Sequence, residues 1–391
     1  MVGFKPLVWG LLACQPLAQA YLNAEDAASA SELSRLVSQA YNQSIDSLSS
    51  SNGSCTLETV HVRRNWDVFS TAEKKEYIDA VLCLQSTSPK TPASVAPGVK
   101  TRYDDFVATH INQTLEIHYT GTFLIWHRTF VWVFDQALRE ECGYSGAFPY
   151  WDWPSTTENL EKSSVFDGSD TSLSGNGWHI PHEGEIVLSL GDYAPVILPP
   201  GNGGGCVVSG PFVNYTINLG PAALALPGNR TLAVANPLDY NPRCFRRDLT
   251  TEIIRSLANY TAVVDLITQN DDIWDFEMVM QGVPGSGVIG VHGGGHYSMG
   301  GDPGRDLYVS PGDPAFWHHH RMIDRVYWIW QNLDPATRIT AISGTGTFLN
   351  DPVSANTTLD TEINYGYAVP GQFVMRDLMS TIEGKFCYIY E

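Results

Sequence analysis

The segment at residues 313–330, DPAFWHHHRMIDRVYWIW, constrains the fold of this chain more than any other. Asp313 is a good N-cap, Pro314 suits a first helical turn, and the apolar residues that follow recur at helical spacing, which predicts a helix. Three consecutive histidines fall on its first two turns: His318, His319 and His320. Because successive residues point about 100° apart, a regular helix cannot offer all three to one metal ion. We expect one to bind metal, one to support it and one to face elsewhere, since unused buried imidazoles are costly.

Two further groups of histidines lie upstream of this helix. His292 and His296 are four residues apart in VHGGGH, which places them on one face of a short helix or turn. His110, His118 and His127 form another set, and the last two flank an aromatic run. Neutral nitrogen donors, without paired carboxylates or thiolates, suit copper or zinc better than magnesium or calcium. Two sets of three histidines predict a centre with two metal ions.

The residues around these histidines resemble the tyrosinase and catechol oxidase family, whose members carry a type-3 pair of copper ions. The first set matches the family's CuA pattern, H-x7-H-x8-H followed by R-x-F. The second set matches its CuB pattern, H-x3-H followed by DPxFxxHHxxxDRxxW, which here runs from Asp313 to Trp328. FPYWDW at 148–153 and YGY at 365–367 are further family landmarks, and the resemblance covers roughly residues 55–370.

The resemblance implies the ligands of each copper ion. In the family, the third CuB ligand stands four residues before the aspartate of the DR pair, which selects His320; His319 then matches a supporting histidine. His318 falls where the family usually has an apolar or small residue. The expected ligands are His110, His118 and His127 for CuA, and His292, His296 and His320 for CuB. We expect Asp324 to orient a ligand histidine, with a salt bridge on the helix surface as the alternative.

The implied fold is mainly α, with a four-helix-bundle core that holds the dinuclear copper site inside long loops and a few short strands. We predict one catalytic domain over 21–391, without the C-terminal lid domain of longer family members. Residues 155–246, rich in Gly, Pro, Asn and Ser, are predicted to form a surface insertion with short strands. The apolar spacing predicts helices at 26–41, 71–86, 127–142, 247–267 and 274–281, and over the first part of 103–118.

The resemblance also implies an activity, with two copper ions as cofactors, O2 as co-substrate and small phenols as substrates. Gln281 stands where strong monophenol hydroxylases of the family often carry Glu, and Gly293 where they carry Asn. That pair is thought to hold a water that accepts the phenol proton. We therefore expect oxidation of o-diphenols to o-quinones to dominate, with weaker hydroxylation of monophenols. Tyr297 and Leu307 are expected pocket walls.

Other activities fit the same pattern. An o-aminophenol oxidase and a dedicated biosynthetic phenol oxidase are the alternatives, and a haemocyanin-like O2 carrier shares the histidine pattern. A further family feature concerns the second CuA histidine, which many fungal relatives join to a cysteine two residues before it. That position is Glu116 here, so we expect no crosslink to His118.

Seven cysteines occur, and their wide spacing lacks any CxxC zinc pattern. Cys14 belongs to the predicted signal peptide, and the other six allow up to three disulfides. We expect at least two bridges, with Cys83–Cys142 and Cys206–Cys244 as the candidate pairs.

Residues 1–20 are predicted to be a secretory signal, with Lys5 before an apolar run and an Ala18-Gln19-Ala20 cleavage site. A secreted, extracellular glycoprotein is therefore expected. Its sequons lie at Asn42, Asn52, Asn112, Asn214, Asn229, Asn259 and Asn356. The net charge of −19 disfavours nucleic acid and anionic membranes, and no later apolar run is long enough to span a bilayer. The oligomeric state stays open between monomer and dimer.

Overall fold

The computed structural model describes residues 24–51 and 53–391. The predicted signal peptide with Cys14, and the sequon residue Asn52, lie outside the described residues. Ten α-helices follow one another in the described chain: α1 (Ala24–Ser50), α2 (Thr71–Leu84), α3 (Arg102–Ile117), α4 (Phe123–Cys142), α5 (Thr251–Leu257), α6 (Tyr260–Thr268), α7 (Ile273–Gln281), α8 (Gly290–Met299), α9 (Ala315–Leu333) and α10 (Pro335–Arg338). The predicted mainly α fold is confirmed.

Helix α9 lies at the centre of the fold, and every residue from Ala315 to Asn332 is buried. It packs against α1, α4, α6 and α8, and α3 packs against α4. A helix buried on every face needs neighbours all round it, which accounts for this arrangement. Helices α3, α4, α8 and α9 form the four-helix core. Within the described residues, no helix is both long enough and apolar enough to cross a membrane.

Five helices differ from the sequence prediction. Helix α3 stays helical as far as Ile117, and α4 begins at Phe123, before His127. Helix α1 continues to Ser50 because Ser44 and Leu48 are buried, and the Ser44 hydroxyl lies 3.1 Å from the Asn332 side-chain oxygen. The predicted helix at 247–267 is interrupted, because Asn259 accepts a hydrogen bond from the Ala262 N–H (2.8 Å) and starts α6 as its N-cap. Helix α9 begins at Ala315, whose N–H donates to the carboxylate of Asp313 (2.8 Å).

The strands are short and lie at the surface of the helical core. They are β1 (His61–Asn65), β2 (Pro149–Tyr150), β3 (Gly177–His179), β4 (Ile186–Leu188), β5 (Val196–Leu198), β6 (Gly204–Val207), β7 (Thr216–Ile217), β8 (Leu224–Leu226), β9 (Arg230–Leu232), β10 (Arg243–Cys244), β11 (Glu362–Tyr365), β12 (Val369–Val374) and β13 (Tyr388–Tyr390). The three-stranded sheet has the order β13-β1-β2, with parallel neighbours. Strands β3 to β10 form antiparallel pairs within the predicted insertion.

Three disulfides crosslink the described chain. Both candidate pairs are present: Cys83–Cys142 joins α2 to the end of α4, and Cys206–Cys244 closes part of the insertion. The third, Cys55–Cys387, joins residues 332 positions apart and fastens the C-terminal segment beside β1. Such links stabilise the fold mainly by restricting the unfolded chain.

A buried cluster of charges joins α9 to α4 and to the three-stranded sheet. Asp324 on α9 accepts hydrogen bonds from Arg128 on α4 (2.5 Å) and Arg63 on β1 (3.0 Å). The hydroxyls of Tyr388 (2.7 Å) and Tyr390 (2.6 Å) also donate to it. Burial raises the pKa of the Asp324 carboxyl, but the two guanidinium groups and the tyrosine hydroxyls outweigh it and hold this pKa below its usual range.

This cluster corrects the prediction for Asp324. Its carboxylate oxygens contact arginine and tyrosine side chains, not a ligand histidine. Asp324 is also buried, so its ion pairs with Arg63 and Arg128 are not surface salt bridges. Asp135 on α4 extends the cluster by pairing with Arg63 (2.8 Å) and with Arg321 on α9. The position of Asp324, one turn after His320, could not reveal partners that lie on β1, α4 and β13.

We expect Asp324→Asn to destabilise the copper-free protein by about 3–5 kcal/mol, because Arg128 would lose its buried carboxylate partner and Arg63 would keep only Asp135. The folded-state pKa of Asp324 is lowered, so its contribution is complete above the unfolded pKa of about 3.9 and is lost as pH falls below it. Urea unfolding at several pH values measures both effects.

The matched control is Asp360→Asn, which removes one partner of the exposed pair with Arg376. We expect a change below about 1 kcal/mol. A similar loss in both variants would contradict the special role of the buried cluster.

Candidate metal centre

The first histidine set lies where α3 ends and α4 begins. His110 is in the middle of α3, His118 is the extended residue directly after it, and His127 is on the second turn of α4. All three side chains are buried, and a donor atom from each lies within 4.8 Å of the others. The short 118–122 connection turns the chain so that α3 and α4 bring their imidazoles close together.

The second set is built by α8 and α9. His292 and His296 lie one turn apart on α8, and His319 and His320 follow each other on α9. One donor atom from each of these four residues lies within 4.8 Å of the others. The His296 and His320 Nε2 atoms are 3.1 Å apart. Two nitrogens bound to one ion at about 2.0–2.1 Å would have about this separation.

Backbone carbonyls orient the first set. The Nδ1 atom of His118 lies 2.9 Å from the Thr114 carbonyl oxygen, and that of His127 lies 2.8 Å from the Phe123 carbonyl oxygen. Both acceptors are four residues earlier. His110 Nδ1 lies 2.8 Å from the carbonyl oxygen of Tyr308. A carbonyl can only accept, so each Nδ1 carries the proton and each Nε2 keeps a lone pair for a metal.

These histidines fit the copper pair that their pattern implies. The Nε2 atoms of His110, His127 and His292 are buried and have no hydrogen-bond partner among the described residues. Buried polar atoms are rarely left unpaired, so these atoms from the two histidine groups indicate missing partners. Imidazole donors in two adjacent groups, without thiolate or carboxylate, suit copper.

Burial also keeps the imidazoles neutral. It lowers the pKa of His118 to about 4 and that of His319 to about 3, because a buried charged ring is poorly solvated. Burial, reinforced by neighbouring imidazoles, also holds the pKa values of the other ligand candidates well below the usual value. These candidates are His110, His127, His292, His296 and His320. Neutral rings are the form that binds metal.

The three consecutive histidines of α9 point in different directions, as the geometry of a helix requires. His318 points away from the centre and packs edge-on against Trp66 and Tyr77, each at 4.9 Å between ring centroids. His319 packs against α8, where a Cβ on Gly295 would lie only 2.2 Å from its Cε1 atom. Gly295, the third glycine of VHGGGH, therefore makes room for the His319 ring beside His292 and His296.

The six described cysteines all lie in disulfides, so none is free to bond to His118. At the expected crosslink position stands Glu116, whose backbone carbonyl accepts from the Thr122 hydroxyl (2.7 Å). His118 is thus held by its bond to Thr114 and by packing.

A cavity of about 170 Å³ opens from the surface to His118, His292 and His296. A dry cavity of about 150 Å³ is large enough for benzene, so this one can admit a single aromatic ring. All four residues predicted at the pocket line it: Gln281, Gly293, Tyr297 and Leu307.

Gln281 is engaged on both ends of its amide. Its Oε1 accepts the N–H of Tyr119 (2.7 Å), and its Nε2 donates to the carbonyl of Glu277 (3.2 Å). The Tyr119 hydroxyl returns to the backbone carbonyls of Gln281 (2.9 Å) and Gly282 (3.0 Å). The residue therefore joins the end of α7 to the residue after His118. It offers no basic group.

Gly293 lies one helical turn after Ile289. A Cβ at this position would lie 2.7 Å from the Ile289 Cβ, which is too close for both to stay in place. An asparagine here, as in strong monophenol hydroxylases, would require Ile289 to move or to be smaller. Glycine thus leaves the cavity wall beside His292 without a polar side chain.

Two contributors to the site escaped the sequence prediction. The β4–β5 hairpin belongs to the insertion that was predicted to lie on the surface, yet Leu188, Tyr193 and Val196 line the mouth of the cavity. Glu277 is buried behind Gln281, and burial raises the pKa of its carboxyl well above the usual value. Each has a weak sequence signal. The hairpin is an apolar run within a predicted loop, and Glu277 is an acidic residue within an apolar helix.

Comparison with known proteins gives consistent matches. The family model described as the common central domain of tyrosinase matches residues 100–333. Tyrosinase P of Aspergillus terreus is 41% identical over 333 residues, which cover 84% of this chain and 91% of that protein. N-acetyl-6-hydroxytryptophan oxidase ivoB of Emericella nidulans is 36% identical over 351 residues, covering 86% and 94%.

A solved structure agrees with the fold throughout its length. The glycine-to-asparagine variant of polyphenol oxidase from Thermothelomyces thermophila superposes with a TM-score of 0.87 at 44% identity, covering 92% of this chain and 98% of that one. The family model spans more than half of the chain, and the two buried histidine groups fit a copper pair. This chain therefore belongs to the tyrosinase family of type-3 copper oxidases.

Proposed function

We propose that this protein uses O2 to oxidise o-diphenols to o-quinones and hydroxylates monophenols only slowly. The observation that carries this proposal is the open, ring-sized cavity that ends on His118, His292 and His296. A phenol ring that enters it meets both histidine groups. An oxygen carrier of the same family has no need of such an entrance, so the cavity favours the oxidase.

We assign His110, His118 and His127 as CuA ligands, and His292, His296 and His320 as CuB ligands. His319, which packs between α8 and Trp153, supports the CuB ligands on α8. When bound, the copper pair supplies the electron transfer that couples reduction of O2 to oxidation of the phenol. The carbonyl bonds to His110, His118 and His127 hold their rings in place, so little reorganisation is needed when a ligand binds.

The cavity walls limit proton removal from a substrate. A phenol has a pKa of about 10, and a monophenol must lose its proton before it can be hydroxylated. Among the described residues that line the cavity, the one carboxylate is Asp306. It is buried and accepts the N–H groups of Ala222 (2.7 Å), Ala223 (3.0 Å) and Tyr308 (3.0 Å). Gln281 is not basic, so the site lacks a free general base.

A dedicated biosynthetic oxidase is the second candidate. One relative is named as the oxidase of N-acetyl-6-hydroxytryptophan, a single hydroxylated indole. The same cavity would serve such a substrate, and an o-aminophenol places its two heteroatoms as an o-diphenol does. O2 uptake with catechol, o-aminophenol and phenol in parallel separates these activities. Lack of uptake with all three by the copper-loaded protein would contradict the proposal.

We further propose that the protein is secreted and glycosylated. Five sequon asparagines are exposed: Asn42, Asn112, Asn214, Asn229 and Asn356. Asn259 is half-buried, and its side chain donates to the Arg255 carbonyl (2.9 Å) while capping α6. A glycan on Asn259 would compete with that bond, so the exposed five are the better acceptors.

We expect His292→Ala to lower the copper content from two ions per chain to about one and to abolish O2 uptake, because only two proposed CuB ligands would remain. Elemental analysis of the purified protein measures the copper content. The control is His318→Leu, which changes the imidazole that packs between Trp66 and Tyr77. That variant should keep two copper ions. Loss of copper from it, or retention by His292→Ala, would contradict the ligand assignment.

We expect Gln281→Glu combined with Gly293→Asn to raise the ratio of monophenol to diphenol turnover by roughly tenfold, since a general base contributes about 10²–10⁴ in favourable geometry. The clash involves the Cβ atom of Ile289, so a third change, Ile289→Gly, makes space for the asparagine. Initial rates with phenol and catechol give the ratio.

Two partial variants serve as controls for this prediction. Ile289→Gly alone should leave the ratio unchanged, and Gln281→Glu with Ile289→Gly should raise it less than the triple variant. An unchanged ratio in the triple variant, with two copper ions bound, would rule out base-limited hydroxylation.

A further inference from the structure

We propose that the tip of the β4–β5 hairpin and the 282–289 loop form a subsite for a bulky, uncharged substituent on the phenol ring. This inference rests on the proposed oxidase function and deepens it by naming the substrate class. The subsite is the mouth of the same cavity. Its wall residues are Leu188, Leu190, Tyr193, Val196, Val283 and Val288.

The hairpin has a fixed base. In the β4–β5 pair, Ile186 lies opposite Leu198 and Leu188 opposite Val196, so these four side chains share one face. Ile186 and Leu198 are buried in a small apolar cluster, separate from the main core, that includes Ile289 beside Gly293. The base of the hairpin is thereby anchored to the segment that carries the CuB histidines.

The inner face of the hairpin runs from this cluster into the cavity. Leu188 and Val196, one pair closer to the tip, are only half-buried and line the mouth. Beyond them, Tyr193 reaches across to the 282–289 loop, where its Cδ1 would lie 3.2 Å from a Cβ on Gly285. The hairpin therefore forms one wall of the cavity mouth, opposite the 282–289 loop.

The rim exposes apolar side chains that a globular surface would otherwise bury. Tyr193 is 51% exposed, Val283 42% and Val288 49%, and they surround one opening. Such a patch next to a binding cavity marks a place where a ligand completes the burial. An apolar substituent on a phenol ring in the cavity would cover it.

Charge selects against an ionic substituent. The two ionic residues of the lining already have partners: Arg305 pairs with Asp248 (2.6 Å), and the Asp306 carboxylate accepts three backbone N–H groups. The charge of Arg305 is thus already balanced by a carboxylate, and that of Asp306 by backbone N–H groups, so neither attracts a charged substituent strongly. The chain has a net charge of −19, so an anionic phenol also approaches against repulsion. The matching substrate is a phenol with a neutral aliphatic or aromatic extension.

The test compares catechol, 4-tert-butylcatechol and 3,4-dihydroxyphenylacetate as substrates of the copper-loaded full chain. We expect a KM about tenfold lower for 4-tert-butylcatechol than for catechol at similar kcat, because several apolar carbons leave water on binding. The anionic substrate should show no such gain. Equal KM values for the first two substrates would overturn the subsite.

Variants on the two faces of the same hairpin locate the effect. Tyr193→Ser should reduce the catechol to 4-tert-butylcatechol KM ratio from about ten to about two. The matched control is Ile197→Ser, an equally exposed residue (56%) on the outer face, which should leave the ratio unchanged. Equal ratios in both variants would show that the hairpin does not contact the substituent.

Binding of unreactive ligands keeps the subsite testable if no catechol is oxidised. Anisole and 4-tert-butylanisole are neutral and lack the hydroxyl that reacts. We expect their Kd values to differ by about tenfold in the unaltered protein and by about twofold in Tyr193→Ser. Absence of catechol oxidation would defeat the proposed function, whereas equal Kd values would defeat the subsite, so the two failures are distinguishable.

Discussion

The buried ion cluster around Asp324 and Asp135 is the interaction on which the rest of the structure depends. It sets α9 against α4 through Arg128 and Arg321, and it joins both helices to the three-stranded sheet through Arg63. Helix α4 bears a histidine of the first set, and α9 bears histidines of the second. The distance between the two metal sites therefore follows from a charged contact that lies outside both sites. Such a contact has strict geometry, because a displaced partner would leave a buried charge unpaired.

Within that frame, backbone geometry orients the imidazoles. His118 and His127 each contact a carbonyl four residues earlier, so the orientation of each ring is set by its own chain segment. On the other side, Gly295 removes a side chain so that His319 can pack between α8 and α9. The metal centre thus needs few side chains beyond the histidines themselves. Its precision comes from helix positions and from one glycine.

The entrance to the centre has a different origin. It is formed by the end of α7, by the loop before α8, and by a hairpin from an insertion that begins soon after the first histidine set. The hairpin and the loop before α8 pack through a small apolar cluster of their own, so they can differ in shape without disturbing the core, whereas α7 packs within that core. The outer walls of the cavity and the two histidine groups are thereby held in place by different contacts. Gln281 belongs to both, since it lines the cavity and holds the residue after His118.

The sequence by itself determined the family, the mainly α fold, the two histidine groups and, through the helical 100° step, that one member of the triplet faces elsewhere. These features depend on residues near one another in the chain, where helix geometry fixes direction. Tertiary structure alone decided the partners of Asp324, which lie on β1, α4 and β13, and the role of Gln281 as a contact to Tyr119. It also decided that the β4–β5 hairpin lines the cavity. The physical reason is that buried polar groups and apolar faces take partners from whichever segment packs beside them, and local spacing carries no information about that neighbour.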